Sequence, residues 1–94
     1  MATRLSDAEI AERLQRLAGW SREGNAIRKS FHFDTFAGGI GFVDRVAVAA
    51  DALDHHPDVD IRYTVVTMIL STHSAGGLTA RDFELAERIE RARS

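Results

Sequence analysis

The chain has 94 residues, of which 45% are hydrophobic and 28% charged, proportions typical of one globular domain with a single core. Its 12 Lys and Arg against 14 Asp and Glu give a net charge of -2, so we expect no direct binding of nucleic acid. The lack of Cys excludes disulfides, thiolate nucleophiles and Cys-bound zinc. Apolar runs are short, so we expect neither a membrane span nor a secretory signal. We therefore expect a cytoplasmic protein.

The first third of the sequence predicts a helix followed by a β-hairpin. Ser6 and Glu9 have the spacing of a capping box, and we expect the helix that begins there to end near Gly19. Residues 20–23 and 26–34 have strand character and flank a turn-forming Gly-Asn pair. The apolar residues on one parity of the second strand should face the core: Ile27, Phe31 and Phe33.

The middle of the chain predicts a long helix from Thr35 to about Asp54. Pro57 disfavours helical backbone at His56, so the helix should stop just before the His-His pair. The glycines within residues 38–41 do not indicate a phosphate loop, because no Lys-Ser/Thr follows them, and close helix packing explains them better. The helical spacing of apolar residues predicts a wide buried stripe of Phe36, Ile40, Val43, Val46, Ala47, Ala50 and Leu53.

The last third predicts two strands, a loop and a helix. Residues 59–72 are rich in β-branched side chains and favour two strands with a tight turn near residues 63–66. Residues 73–77 follow as a loop, and Thr79 and Asp82 begin the last helix. The order α-β-β-α-β-β-α predicts one two-layer α+β domain over residues 1–94, with helices packed on one face of a four-stranded antiparallel sheet.

Three histidines lie where predicted elements end: His55 and His56 after the long helix, and His73 after the last strand. Loops at such ends commonly carry catalytic groups, and imidazole can act as acid or base near neutral pH. Spacing alone leaves three interpretations open, namely solvated surface residues, an acid-base site and a metal site. The carboxylates that flank the His-His pair are Asp51, Asp54, Asp58 and Asp60.

Four other residues have simpler structural explanations. His32 lies on the outward parity of its strand, so we expect it to be exposed. Asp82 has the position to complete the helix cap begun by Thr79. Tyr63 and Trp20 are more often core or hairpin residues than ligand platforms.

Several spaced motifs together resemble one enzyme family. Asp51, His55-His56-Pro57, Tyr63, His73 and Asp82 follow the signature of the pterin-4a-carbinolamine dehydratases, although many relatives carry Glu at the position of Asp51. All three histidines of that signature are present, and the similarity extends over nearly the whole chain. Further matching motifs are Gly19-Trp20, Phe31-His32-Phe33, Phe42-Val43-x-Arg45-Val46-Ala47, Leu53-Asp54 and Leu70-Ser71-Thr72-His73.

The resemblance implies removal of water from a 4a-hydroxytetrahydropterin to give a quinonoid dihydropterin, which recycles the cofactor of aromatic amino acid hydroxylases. It implies no metal and no cofactor. His55 and His73 would be the acid-base pair, and His56 would orient the pterin or share in proton transfer. Tyr63 and Asp82 would have structural or supporting roles. Residues expected to support the histidines or to contact the pterin are Asp51, Asp54, Pro57, Thr72, Ser74 and Ala75.

A homo-oligomer is also expected, because a two-layer domain leaves a sheet face and an edge strand uncovered. The resemblance implies a dimer or a tetramer. Two other functions remain open from the sequence. Some similar proteins serve as dimerisation partners of a transcription factor, and a small metal-dependent hydrolase would instead use His55 and His73 as ligands.

Overall fold

The structure is a computed structural model that describes residues 3–93, so residues 1, 2 and 94 of the predicted domain lie outside the described residues. The elements are α1 Asp7–Leu14, β1 Ser21–Glu23, β2 Ala26–His32, α2 Phe36–Leu53, β3 Asp58–Arg62, β4 Val65–Leu70 and α3 Ala80–Arg93, with a short 3-10 helix, His73–Ala75, before α3. This order confirms the predicted α+β fold with its four-stranded antiparallel sheet.

The strand order in the sheet is β1-β2-β4-β3, and every pair of neighbours is antiparallel. The two central strands, β2 and β4, align Ile27 with Leu70 and Phe31 with Val66. Strands β1 and β3 are the edges. Strand β3 follows α2 and forms a hairpin with β4 through a two-residue turn. The C-terminal end of α2 and the C-terminal end of β4 therefore lie at the same end of the strands.

The core lies between one face of the sheet and the helices. The ring centroid of Phe42 in α2 lies 4.8 Å from that of Phe31 and 5.1 Å from that of Phe33, with the rings tilted against each other. Trp20 is buried as expected, and its indole Nε1 donates to Glu90 of α3 at 2.9 Å. Strands and helices contribute further buried residues: Ile27, Val66, Met68, Leu70, Ile10, Val46, Ala50, Phe83, Leu85, Ala86 and Ile89.

The predicted end of the first helix near Gly19 is wrong, because α1 ends at Leu14. After that residue the backbone forms bonds over three residues instead of four, including Leu17 N–H to the Leu14 carbonyl and Trp20 N–H to the Leu17 carbonyl. These tighter turns end the helix, and Leu17 and Trp20, which lie on this segment, are both buried in the core.

The capping box at Ser6 is confirmed, with Ser6 Oγ accepting from the Glu9 N–H and the Glu9 carboxylate accepting from the Ser6 N–H. The backbone bond from Ser6 holds the pKa of Glu9 below its usual range. Because folding lowers this pKa, the ionised Glu9 of the capping box stabilises the folded state fully above the ordinary pKa of Glu. This stabilisation is lost as the pH falls through the lowered pKa of Glu9.

The strand predictions are correct in kind and differ at the ends. Strand β3 begins one residue before the predicted residue 59, and β4 ends at Leu70 instead of residue 72. Strand β1 begins one residue later than the predicted 20–23, and β2 ends at His32 instead of residue 34. The second turn comprises only Tyr63 and Thr64, so Val65 and Val66 of the predicted turn region belong to β4.

The buried stripe of α2 is narrower than predicted and partly shifted. Gly39, Phe42, Val46 and Ala50 are its buried residues, whereas Phe36 is 50% exposed. The predicted members Ile40, Val43 and Leu53 are half-buried, and Ala47 is exposed. The physical reason is that apolar residues surround much of α2, while the sheet and α3 cover only one side.

None of the helices in residues 3–93 is long and apolar enough to cross a membrane.

The α2 glycines give a matched test of close packing. A Cβ at Gly39 would lie 3.2 Å from Cγ2 of the fully buried Val66, whereas one at Gly41 would meet only an Arg45 guanidinium nitrogen at 3.5 Å. We therefore expect Gly41→Ala to raise the free energy of unfolding by about 0.5–1 kcal/mol through helix propensity, and Gly39→Ala to lower it. Urea unfolding measures both, and equal stabilisation would contradict close packing at Gly39.

Candidate active site

The His-His-Pro segment leaves α2 through a left-handed residue. Asp54 caps the helix with φ 49° and ψ 44°, and its N–H bonds to the carbonyls of Ala50 and Asp51. The next N–H, that of His55, returns to the Ala50 carbonyl at 3.1 Å. This backbone reversal directs His55 into the interior and leaves His56 at the surface.

Arg81 of α3 fixes the same turn from the other side. Its Nη2 donates to the Leu53 carbonyl at 3.0 Å and to the Asp54 carbonyl at 2.8 Å. These are carbonyls at the C-terminus of α2, where a cation is also favoured by the helix dipole. These two hydrogen bonds therefore link the position of His55 and His56 to α3.

His55 pairs with a fully buried carboxylate. Its Nε2 lies 2.6 Å from Oδ1 of Asp82, which has 0% of its surface exposed. The other oxygen, Oδ2, accepts from the Thr72 hydroxyl at 2.8 Å and from the Thr79 N–H at 2.9 Å. An ionised carboxylate can only accept, so in this pairing Nε2 of His55 carries the proton and Nδ1 is the nitrogen available for proton exchange.

The predicted cap at Thr79 is only partly the one observed. The Thr79 N–H bonds to Asp82 as expected, but the Thr79 hydroxyl accepts from the Arg81 N–H and lies 2.9 Å from the Thr72 hydroxyl. Asp82 thus has its predicted structural role at the helix start and also contacts a site histidine.

His56 pairs with a second carboxylate at the surface. Its Nε2 lies 2.9 Å from Oδ1 of Asp51, five residues earlier and still within α2. Both side chains are exposed. The side chain of Asp51 is therefore long enough to reach the imidazole of His56.

All three predicted histidines line one open cleft of about 330 Å³. His73 is placed by the 3-10 helix, in which the Ala75 N–H returns to the Thr72 carbonyl and the Gly76 N–H to the His73 carbonyl. The cleft volume is at the lower end of the range for small-molecule sites. Its lining comprises Asp54, His55, His56, Ser71, Thr72, His73, Ser74 and Arg81.

A second, apolar groove of about 140 Å³ adjoins the cleft and lies between α2 and β3. Asp51 and Pro57 line this groove, and His56 lines both the groove and the cleft. Ala75 is half-buried in the 3-10 helix behind His73. The other lining residues of the groove are Val43, Val46, Ala47, Ala50 and Val59.

Tyr63 is the one signature residue that the fold does not bring to the histidines of its own chain. It lies in the β3–β4 turn, at the opposite end of β3 from Pro57, and is 76% exposed. His32 is exposed on β2, as predicted.

Sequence reasoning missed Arg81 and Ser71 as cleft residues. Arg81 precedes Asp82 in the first turn of α3, and its backbone acceptors lie 27 and 28 residues away. Only the placement of α3 beside the end of α2 indicates its role. Ser71 precedes Thr72 and His73, so its adjacency to His73 was the available signal.

Comparison with known proteins identifies the family of the chain. The family model described as pterin 4 alpha carbinolamine dehydratase matches residues 3–92. A Roseiflexus sp. (strain RS-1) protein named "Putative pterin-4-alpha-carbinolamine dehydratase" is 59% identical over 90 residues, covering 96% of this chain and 97% of the relative. A protein of the same name from Mycobacteroides abscessus is 50% identical over 86 residues, covering 92% of each chain.

Two solved structures are similar as well. The transcriptional coactivator/pterin dehydratase from Brucella melitensis has a TM-score of 0.93 at 35% identity, covering 98% of this chain and all of the other. A pterin dehydratase-like RuBisCO assembly factor of the alpha-carboxysome has a TM-score of 0.65 at 20% identity, over 80% of this chain and 87% of its own, and shares the fold alone. By the family model and these relatives, the chain belongs to the pterin-4-alpha-carbinolamine dehydratase family.

Proposed function

We propose that this chain removes water from a 4a-hydroxytetrahydropterin by histidine acid-base catalysis. The observation that carries the proposal is the convergence of His55, His56 and His73 on one cleft, with two of them held by carboxylates. Family membership supports a pterin substrate and a dehydratase reaction. Recycling of a hydroxylase cofactor and a cytoplasmic location are parts of the same proposal.

The reaction requires one proton to be given and one to be taken. The bond from C4a to the hydroxyl oxygen breaks, and an acid protonates this oxygen so that it leaves as water. A base removes the proton of the neighbouring ring nitrogen, whose electron pair forms the new C=N bond of the quinonoid dihydropterin. Loss of water is neither an oxidation nor a reduction of the pterin, so proton transfer by two side chains is sufficient.

The contacts of the histidines favour a division of these roles. His55 is the better base, because the buried Asp82 carboxylate at 2.6 Å can stabilise the imidazolium that forms when Nδ1 accepts a proton. His73 is exposed in the same cleft and would serve as the acid, regaining its proton from water. His56, held by Asp51 at the border of the cleft, would orient the pterin or assist proton transfer.

Backbone groups near His73 would bind the edge of the pterin. Thr72 and Ser74 line the cleft on either side of His73, and Ala75 ends the 3-10 helix that carries His73. Pro57 shapes the adjoining groove. The side chains of these residues need not contribute specificity. The Thr72 hydroxyl has a different role, because it donates a hydrogen bond to Asp82.

A turnover assay with freshly generated 4a-hydroxytetrahydropterin tests the proposal, because spontaneous dehydration gives a baseline. The protein should exceed that baseline, and a chelator should leave the rate unchanged. In residues 3–93 no three or more His, Asp or Glu side chains converge in a way that could hold a metal ion. A rate equal to the baseline would reject the dehydratase, and loss of activity on chelation, restored by zinc or iron, would favour a metal-dependent enzyme.

A homo-oligomer is the second part of the proposal. Phe36, Val59, Ile61 and Tyr63 are large apolar residues exposed on α2, on β3 and in the turn after it, and exposed apolar surface is commonly covered by another chain. The Brucella melitensis relative is called a transcriptional coactivator as well as a pterin dehydratase, and partnership with a transcription factor is the alternative use of such a surface in this chain.

A further inference from the structure

We propose that Thr72 is a positioning residue of the site, whose hydroxyl holds the pair of His55 and Asp82 in place relative to His73. Its side chain acts through these residues and not on the substrate. The hydrogen bonds of Thr72 are independent of what the chain catalyses, whereas their effect on turnover rests on the proposed dehydratase function.

The backbone of Thr72 closes the loop that carries His73. The Thr72 N–H donates to the Gly77 carbonyl at 3.0 Å, and the Gly77 N–H returns to the Thr72 carbonyl at 3.4 Å. The same carbonyl also accepts from the Ala75 N–H at 3.1 Å, within the 3-10 helix. The loop of residues 72–77 is therefore bonded to Thr72 at both of its ends, so the position of His73 depends on that of Thr72.

The side chain of Thr72 joins the same residue to the carboxylate that holds His55. Its hydroxyl donates to Oδ2 of Asp82 at 2.8 Å, and Oδ1 of that carboxylate lies 2.6 Å from Nε2 of His55. His55 follows α2, and His73 lies in the 3-10 helix after β4. Two hydrogen bonds through Asp82 thus connect the residue that precedes His73 to the imidazole of His55.

The hydrogen bonds around Thr72 run in one direction. An ionised carboxylate only accepts, so the Thr72 hydroxyl gives its proton to Asp82, and its oxygen accepts from the Thr79 hydroxyl at 2.9 Å. The Thr79 oxygen accepts in turn from the Arg81 N–H at 3.3 Å. Each hydroxyl therefore has both a donor and an acceptor, which restricts its rotation.

The network is buried, so a lost partner is not easily replaced. Thr72 is 3% exposed, and Thr79 and Asp82 are both 0% exposed. Without the Thr72 hydroxyl, Oδ2 of Asp82 would keep only the bond from the Thr79 N–H among the contacts within residues 3–93. The carboxylate would then be held less firmly, and the imidazole of His55 with it.

Proton transfer is sensitive to such a loss, because a displacement of about 1 Å can reduce the rate of a reaction about 100-fold. The two imidazoles to which we assign proton transfer are carried by different elements, so their separation depends on contacts between those elements. The binding of the pterin should depend less on the hydroxyl, because the backbone of the loop from residue 72 to residue 77 is unchanged when only the hydroxyl is removed.

Thr72→Val tests this role, because it keeps the β-branched shape and removes the hydroxyl. We expect kcat to fall about 10- to 100-fold and KM to stay within about twofold of wild type. Thr72→Ser retains the hydroxyl and should keep kcat within about threefold of wild type. Steady-state turnover of freshly generated 4a-hydroxytetrahydropterin, corrected for the spontaneous rate, measures both variants.

Thr67→Val is the matched control. Thr67 lies on β4, is 5% exposed, and has its hydroxyl 2.7 Å from that of Ser30, but it does not line the cleft. Both valine variants remove a hydroxyl that bonds to another hydroxyl, and both should lower the urea midpoint, whereas Thr67→Val should leave kcat and KM unchanged. Wild-type kcat in Thr72→Val, an equal loss of kcat in Thr67→Val, or a Thr72→Ser variant as slow as Thr72→Val would overturn the proposal.

A measurement without substrate separates this proposal from the proposed function. The proton on Nε2 of His55 should exchange with water faster in Thr72→Val than in wild type, and at the wild-type rate in Thr67→Val. Imidazole resonances of His55 report this exchange, and an unchanged rate in Thr72→Val would overturn the positioning role. If the wild-type chain has no dehydratase activity, the proposed function fails, while the exchange rates still decide whether Thr72 holds the pair.

Discussion

Replacement of His55 or His73 by Ala should lower kcat by about 10²–10⁴-fold, the usual contribution of one positioned acid or base. Each change removes one of the two imidazoles to which we assign proton transfer, and both line the same cleft. The remaining rate should approach the spontaneous dehydration of the substrate. Steady-state turnover of freshly generated 4a-hydroxytetrahydropterin, corrected for that spontaneous rate, measures the loss.

His32→Ala is the matched control, because His32 is exposed on β2 and lies outside the cleft. It should be nearly silent in kcat and in KM. His56→Ala should act mainly through KM if His56 orients the pterin. Unfolding curves must show that the variants remain folded. Full activity of His55→Ala and His73→Ala, or a loss confined to His32→Ala, would show that the site is misplaced.

The order of elements was predictable because local signals mark most of their boundaries. The Ser6 box begins α1, Thr35 caps α2 by accepting from the Gly38 N–H, and Pro57 follows the end of α2. Alternation in β2 correctly identified Ile27 and Phe31 as core residues. Such signals act over a few residues, so the sequence displays them directly.

The face that α2 buries was less predictable. Phe36 and Phe42 are equally apolar, but Phe42 is fully buried and Phe36 is 50% exposed. A helix with apolar residues around much of its circumference has no unique buried face until the sheet and α3 are placed. The exposed remainder, together with β3, is the surface that we assign to a second copy of the chain.

The three histidines that line the cleft could be singled out from their spaced signature, but their carboxylate partners could not all be predicted. His55 and Asp82 are 27 residues apart, and their contact depends on the packing of α3 beside the end of α2. His56 and its neighbour His55 contact different carboxylates because the left-handed Asp54 turns the chain between the helix and the pair. No local pattern specifies that division, since it arises from tertiary structure.

Replacement of Asp82 by Asn should retain the shape of the side chain and lower kcat by about 10²–10⁴-fold. The amide oxygen can still accept from Thr72 and the Thr79 N–H, which leaves the amide NH2 facing Nε2 of His55. Nε2 must then accept, so the proton moves to Nδ1 and the imidazole can no longer receive one from the pterin. Turnover measures the activity, and imidazole nitrogen resonances of His55 report the change of tautomer.

Asp82→Ala should in addition lower the free energy of unfolding by about 3–5 kcal/mol, because it leaves the buried partners of a fully buried carboxylate without an acceptor. Asp51→Ala is the matched control, since it breaks the exposed pair with His56 and should cost under about 1 kcal/mol. Urea unfolding distinguishes the two changes. An Asp82→Asn variant with wild-type kcat would contradict the role given to the buried carboxylate, because its hydrogen bonds to Thr72 and Thr79 would then be its only function.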